Sequence, residues 1–485
     1  MKIKYLIIVT FSLLISYQVN AGDVFDLVIA KDGSGDYKNL SQALIFLSSS
    51  STRKLIYVKN GVYEEQVRFT QKNFSLIGES RDSVIFTYDL HVGDNKGSST
   101  SSCGTFIVSS DNFYCENITF ENSAGAVGQA VALMPTGNNQ VFNNCKMLGY
   151  QDTYYANGGK QYNYNCYIDG ATDFIFGEST AVFDSCTVLC KSGGQYLTAP
   201  GDTKLTSTQD NGSTMLHGLF FTNCLIKKGT GVSAGSYFLG RPWKDFSSTI
   251  FKNCTLEDHI KSAGWYAWDA TTSTVYVAEY KSVNTEGSLV DVSGRVDWSY
   301  QIPDSIAEKY YTLDYFFSAG GEVWDAKSTL KALDAPANVA VNSYTVSWDA
   351  VNNAKGYVII RNDSTIGFAE TTSFTDETVN TGIENVYKVK SVNSTYGNLS
   401  VASNEVTVAA SGFQETTQDK LAYFISSNIL YVSSVSDIQI YNVAGTLIKS
   451  ATDVRQLDLN GYKGKSLICL ITDAFGNVKS SKIIL

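Results

Sequence analysis

The sequence predicts an all-β protein: a right-handed parallel β-helix followed by one or two small β-sandwich domains. Three observations carry this. Val, Ile, Thr, Tyr and Phe are frequent, charged residues are only 17%, and there are five prolines and few long Ala/Leu/Glu/Lys stretches, which favours strands over helices. A short motif of an aromatic, one or two polar residues, Cys and a β-prone run recurs six times between 113 and 256. Beyond residue 330 that motif stops and alternating strands at regular spacing replace it. At 485 residues the chain is too long for one ordinary domain.

The first element is a leader. Lys2 and Lys4 precede an apolar run over 5–15, and Val19-Asn20-Ala21 follows, which reads as a secretory signal over 1–21. The run is too short to span a membrane, and no later stretch approaches 18 apolar residues, so a secreted or cell-surface location without a membrane span is expected. Next, "KNLSQALIFLSSS" (38–50) places Leu40, Ala43, Leu44 and Leu47 at helical spacing. That helix would cap the first coil, as an open solenoid end requires.

The six repeats place Cys115, Cys145, Cys166, Cys186, Cys224 and Cys254 at separations of 30, 21, 20, 38 and 30 residues. Units of about 20–30 residues that cannot bury a face alone must stack, and strand on strand gives a β-helix. The six cysteines are expected as an inward ladder of free thiols, since free Cys packs as a small hydrophobe. No Cys or His spacing suits zinc, so no metal or cofactor is expected. The repeat domain is expected over 22–330. "LKALDAPANV" (330–339) reads as a linker, with Pro336 opposing a helix. A sandwich then follows over 333–409, with Trp348, Tyr357 and Tyr387 as core aromatics, and a last β module over 415–485.

The net charge of −10 excludes nucleic acid as a natural partner and disfavours strongly anionic polymers at long range. "GVSAG" (231–235) matches the nucleophile elbow of serine hydrolases, but lacks the strand and helix that the motif needs. It is read as a surface loop. The carboxylates are more informative. Asp152, in "GYQDTYYA", and Asp173, in "ATDFIFG", each lie seven residues past a repeat cysteine and 21 residues apart, the same step as Cys145 to Cys166. They should therefore stack one coil apart, about 4.8 Å. Two carboxyls that close cannot both ionise freely, so one supplies an acid and the other a base. Gln151 and Gln129 place amides nearby, Arg241 in "YFLGRPWKD" offers a fixed cation, and Trp243 offers a face for a sugar ring.

"VIAKDGSGDYKNLSQAL" (28–44), "GVYEE" (61–65), "GQAVAL" (128–133), "YQDTYY" (150–155), "DFIFG" (173–177) and "LGRPW" (239–243) occur in this order. Together they resemble the pectinesterase (pectin methylesterase) family over about 23–325. The resemblance implies a metal-free esterase that removes methyl esters from the galacturonate units of pectin and releases methanol. It implies Asp173 as nucleophile, Asp152 as proton donor and later base, and Gln151 as oxyanion-stabilising amide with Gln129 beside it. Arg241 would orient Asp173 and keep it ionised, and Thr105, Gln129, Arg241 and Trp243 would bind substrate. The expected partner is methyl-esterified homogalacturonan, acted on by a monomer. Tyr154 stands where the family usually has Leu, and is expected to alter a wall of the groove. The span 333–409 resembles fibronectin type III modules, and 415–485 resembles the sorting domains of the type IX secretion pathway. A paired-carboxylate glycosidase or lyase on the same polymer is the alternative, and a non-catalytic binding role for the sandwich is a third reading.

Overall fold

A computed structural model describes residues 24–96, 98–410, 421, 423–474 and 478–485. The expected signal segment lies outside the described residues. The chain divides into two compact units, one formed by the chain up to Glu377 with Val386–Val406, the other by Thr378–Asn385 with Thr407–Leu485.

The first unit is built on a β-helix whose parallel sheets have eleven, eight and seven strands among the described residues. Each coil visits the three sheets in that order. One coil, for example, runs Gln140–Asn143, Lys146–Leu148, Tyr154–Ala156, then returns to the first sheet at Lys160–Tyr164. The corner between the first two strands is tight because one residue adopts a left-handed conformation. Asn117, Asn144, Asn165, Asn223 and Asn253 take this place with φ of 50–58°, and Ser185 does so at φ 57°. Asn tolerates that region better than other non-glycine residues. The Asn side chains also stack: Asn144 Nδ2 donates to Asn117 Oδ1 at 2.7 Å, and Asn165 Nδ2 to Asn144 Oδ1 at 3.3 Å.

The residue after each corner points inward, which explains the repeat motif. Cys145, Cys166, Cys186, Cys224 and Cys254 follow their corners directly and align coil by coil. Cys115 does not belong to this ladder. It pairs in register with Phe142, three residues earlier in the coil, and Ile118 fills the slot above Cys145. The separation of 30 residues from Cys115 to Cys145 is thus one coil of 27 plus an offset of three. All nine cysteines are buried and free. Phenyl rings line the same interior, with Phe183, Phe221 and Phe251 stacked at 4.6 Å between successive centroids.

The expected N-terminal helix is present but shorter, at Leu40–Phe46. Asn39 caps it by accepting from the Gln42 amide at 3.0 Å, and Leu40 and Ala43 close the coil end while Ile45 and Phe46 face out.

Past 330 the chain is antiparallel. One small sheet joins Ala340–Asn342, Thr345–Ser347 and Ser373–Thr375, and a second joins Ser364–Ala369, Ala354–Arg361 and Asn385–Asn393. Trp348, Tyr357 and Tyr387 are buried there. This sandwich shares an apolar core with the outer face of the β-helix, where Phe368 meets both Phe25 and Tyr57 at 5.2 and 5.1 Å. The segment read as a linker is tied down rather than loose: Ser391 Oγ donates to the Asp334 carbonyl at 2.8 Å and Asn393 Nδ2 to that of Lys331 at 3.0 Å. The second unit contains an antiparallel sheet of Tyr423–Ser426, Ile429–Asn442, Leu447–Asp458, Ser466–Asp473 and Val478–Ile484 over its own core of Leu430, Ile438, Ile440 and Ile471.

Candidate active site

The seven-stranded sheet carries the site. Gln129, Gln151 and Thr172 bridge successive coils, which places Asp152 and Asp173 at equivalent points one coil apart. Both aspartates hold left-handed backbone conformations, with φ of 65° for Asp152 and 49° for Asp173. The register of Thr172–Gly177 against Tyr196–Pro200 slips between Thr172 and Ile175. Such an irregularity re-aims a side chain, here the carboxyl of Asp173, away from the alternation of the strand.

Arg241 holds Asp173 in a two-point grip. Its Nε donates to Oδ1 at 2.9 Å and its Nη2 to Oδ2 at 2.5 Å. The guanidinium plane is fixed in turn between rings, 3.8 Å from the Trp268 centroid and 4.1 Å from that of Tyr196. The strand Phe238–Gly240 brings Arg241 here by pairing with Tyr196–Pro200, and the Arg241 amide donates to the Thr198 carbonyl at 2.9 Å.

Asp152 has no such partner among the described residues. Burial pushes its carboxyl well above the usual range, the neighbouring charge of Asp173 pushes it further, and the charge of Arg241 opposes both. Burial also raises the Asp173 carboxyl, but the hydrogen bonds and charge of Arg241 act directly against that rise. The two carboxyls therefore separate: Asp152 keeps its proton to higher pH, and Asp173 ionises first.

A cavity of about 140 Å³ opens above them, lined by Gln129, Gln151, both aspartates, Trp243 and Trp268 among others. The Gln129 and Gln151 side-chain amides have no hydrogen-bond partner among the described residues, so their N–H donors remain available. Tyr155 and Phe176 form another wall, stacked at 4.2 Å between centroids and 16° between planes, with Trp243 edge-on to Phe176 at 6.1 Å.

Two expectations about the walls change. Thr105 is fully buried, and its hydroxyl donates to the Glu121 carbonyl at 2.9 Å. It braces the coil behind the cavity, whereas Thr100 lines the cavity itself. Tyr154 faces the β-helix interior, fully buried with its ring edge-on to Phe183 at 5.3 Å. It alters the core and leaves the groove to its neighbour Tyr155. Of the two phenylalanines that follow Asp173, Phe174 points into the β-helix core and Phe176 packs at the cavity beside Tyr155. Sequence reasoning missed Tyr155, Trp268 and Tyr196. A signal existed for Tyr155: it lies three residues past Asp152, just as Phe176 lies three past Asp173.

The serine-hydrolase look-alike is a loop, with Ser233 exposed. His259 is fully buried, both ring nitrogens are without a partner among the described residues, and burial lowers its pKa to about 4. Among the described residues no group of three or more His, Cys, Asp and Glu could hold a metal ion.

Comparison with known proteins bears on the family and the fold. The pectinesterase family model matches residues 26–320. Pectinesterase/pectinesterase inhibitor 18 of Arabidopsis thaliana is 36% identical over 311 residues, covering 61% of this chain and 54% of that protein. The chain spans about half the length of the curated relatives it matches. The solved pectin methylesterase from carrot is 32% identical with a TM-score of 0.56, over 63% of this chain and 97% of that one. That from Erwinia chrysanthemi is 29% identical with a TM-score of 0.51, over 60% and 96%. The family-model match over more than half of the chain, on a β-helix shared with these enzymes, identifies the chain as a member of the pectinesterase family.

Proposed function

We propose that this chain hydrolyses the methyl esters of galacturonate units in pectin, releasing methanol and leaving carboxylates on the polymer. The carrying observation is the asymmetry of the carboxyl pair: Asp173 is gripped by Arg241, while Asp152 is buried without a partner among the described residues. An ionised Asp173 oxygen attacks the ester carbonyl carbon, and the carbonyl π electrons move to oxygen. The amide N–H groups of Gln151 and Gln129 meet that oxyanion. Removing one such donor typically costs about 100- to 1,000-fold in rate. As the tetrahedral carbon collapses, the protonated Asp152 gives its proton to the methoxy oxygen, and methanol leaves. This forms an acyl anhydride on Asp173. Asp152, now a carboxylate, takes a proton from water as that water attacks the galacturonyl carbonyl carbon. The acyl bond breaks, Asp173 returns as a carboxylate to Arg241, and Asp152 is again protonated. Water is the only co-reactant consumed.

Acyl transfer is favoured over glycosidic cleavage because two unengaged amide donors face the carboxyl pair. The net charge of −10 favours esterified, neutral stretches over bare polygalacturonate. Export through the 1–21 segment, a fibronectin type III-like role for 333–409 and a sorting role for 415–485 belong to the same reading. The test is methanol release from methylated pectin with Asp173→Asn as control. Wild-type release without new reducing ends or unsaturated products, and loss of release in Asp173→Asn, is the expected result. An Asp173→Asn chain that keeps most of the activity overturns the mechanism.

A further inference from the structure

A second cavity, of about 450 Å³, lies within the first unit where the β-helix meets the sandwich. Ser80, Arg81 and Asp82 line it from the β-helix, and Asp363, Lys388 and Lys390 from the sandwich. Its acids are already served. Asp82 pairs with Arg81 at 3.4 Å and with Lys146. Asp363 pairs with Lys388 at 2.7 Å, and Lys388 also reaches Glu405 at 3.2 Å. Glu79, also in the wall, accepts the backbone N–H groups of Asn60, at 2.7 Å, and Thr365.

Lys390 is the exception. It has no hydrogen-bond or ion-pair partner among the described residues, although it sits mid-strand between buried Val389 and Ser391. Burial lowers its ammonium pKa, and the nearest acids, Glu116 and Glu79, oppose this only through space. Glu116 is itself buried, raised by burial and taken up by Tyr114, Asn143 and the Leu399 amide. Arg81 Nη2 and the Ser80 hydroxyl are also without partners among the described residues. A half-buried ammonium that opens onto a cleft with no protein partner among the described residues is a ready charge partner for an anion entering it. The Ser80 hydroxyl and the Arg81 guanidinium edge in the same wall suit a carboxylate carried on a polyol.

We propose that this cleft is a second saccharide site, which takes a carboxylate-bearing, de-esterified galacturonate oligomer with Lys390 as its charge partner. The choice of sugar rests on the function proposed above, whereas the preference for an anion rests on the cleft alone. The cleft lies among the first two sheets and the sandwich, away from the seven-stranded sheet that carries the aspartates. It would retain the product polymer while the esterase site works on esterified stretches.

The test is calorimetric titration of the full chain carrying Asp173→Asn with unesterified trigalacturonate, its trimethyl ester and inorganic phosphate. The expected result is a binding class for the unesterified trimer that weakens about 10- to 100-fold in Lys390→Met, the range for a charged hydrogen bond. Lys390→Arg should retain it, Arg81→Gln should weaken it, and the trimethyl ester should not occupy it. Trimer binding unchanged in both Lys390→Met and Arg81→Gln overturns the proposal. Phosphate binding as tightly as the trimer overturns its saccharide part. Methanol release from pectin should be unchanged in Lys390→Met. Loss of that release in the wild-type chain would overturn the esterase reading instead, so the two failures are distinguishable.

Discussion

Asp152 and Asp173 are one residue type in equivalent places one coil apart, and a single guanidinium makes them different. Arg241→Lys should therefore lower kcat by at least about tenfold, because a point charge cannot bridge both Asp173 oxygens or lie flat between Trp268 and Tyr196. Steady-state methanol release checks this, and an unchanged kcat would show that geometry is not what Arg241 supplies. The raised carboxyl of Asp152 has a thermodynamic consequence as well. Its folded-state pKa lies above its unfolded value, so the folded state binds the proton more tightly. Stability is then lost as pH rises from the ordinary aspartate range, about 3.9, towards the folded value. Asp152→Asn should raise the melting temperature at pH 7 relative to wild type, with the gain shrinking as pH falls from the raised folded value to about 4 and constant below it, while turnover collapses. Thermal melts across that range measure it, and a melting temperature lowered at pH 7 would refute it. At this scale the aspartate pair was legible because a 21-residue step shared with the cysteines fixes stacking. The facing of Thr105 and Tyr154 was not, because coil corners break the simple alternation that assigns side chains to one face.

At the scale of the coil, the repeat motif is a corner and an inward residue, and cysteine marks it only in part. Asn144 shows what the corner needs: φ of 50° and a side chain bonded to Asn117, Asn165 and Arg81. Asn144→Ala should destabilise the first unit by about 1–2 kcal/mol, the usual penalty of a left-handed residue with a Cβ and no local hydrogen bond. Asn144→Gly should recover part of the loss, since the backbone strain is relieved but the ladder is not. Denaturant melts of the two variants check the order, and Ala as stable as Gly would mean that backbone strain is not what the corner selects against. The ladder was legible from spacing wherever Cys follows the corner at once. It misled at Cys115 because Ile118 does the same work there, and a hydrophobic slot does not require one residue type.

Across the whole chain, the break in sequence texture near 330 and the break in packing do not coincide. The β-helix ends there in its repeat pattern, yet its outer face is completed by the sandwich. Phe25 and Tyr57 pack on Phe368, the Tyr57 hydroxyl meets Thr365 Oγ1 at 2.8 Å, and Asn398 donates to the Tyr114 hydroxyl at 2.6 Å. Composition announces a new module but carries no record of which surface that module covers. A chain ended at 330 would leave Tyr57, Ile77 and Tyr114 open to water on one face of the eleven-stranded sheet. Fully burying one large apolar side chain contributes about 1.5–3 kcal/mol, so losing cover over several of them is a substantial fraction of a domain's stability. The aspartates, glutamines and Arg241 lie on the other side of the coil, at the seven-stranded sheet, and among the described residues none of their contacts involves residues past 330. Truncation at 330 should therefore leave kcat on a soluble methylated oligomer within about twofold at low temperature, while lowering the melting temperature by several degrees and promoting aggregation. A chain ended after Ala410 keeps the covering strands and should not show the same aggregation. Parallel melts and light scattering on both truncations decide it: a 330 chain as stable and monodisperse as the 410 chain would show that the sandwich rests on the β-helix without supporting it.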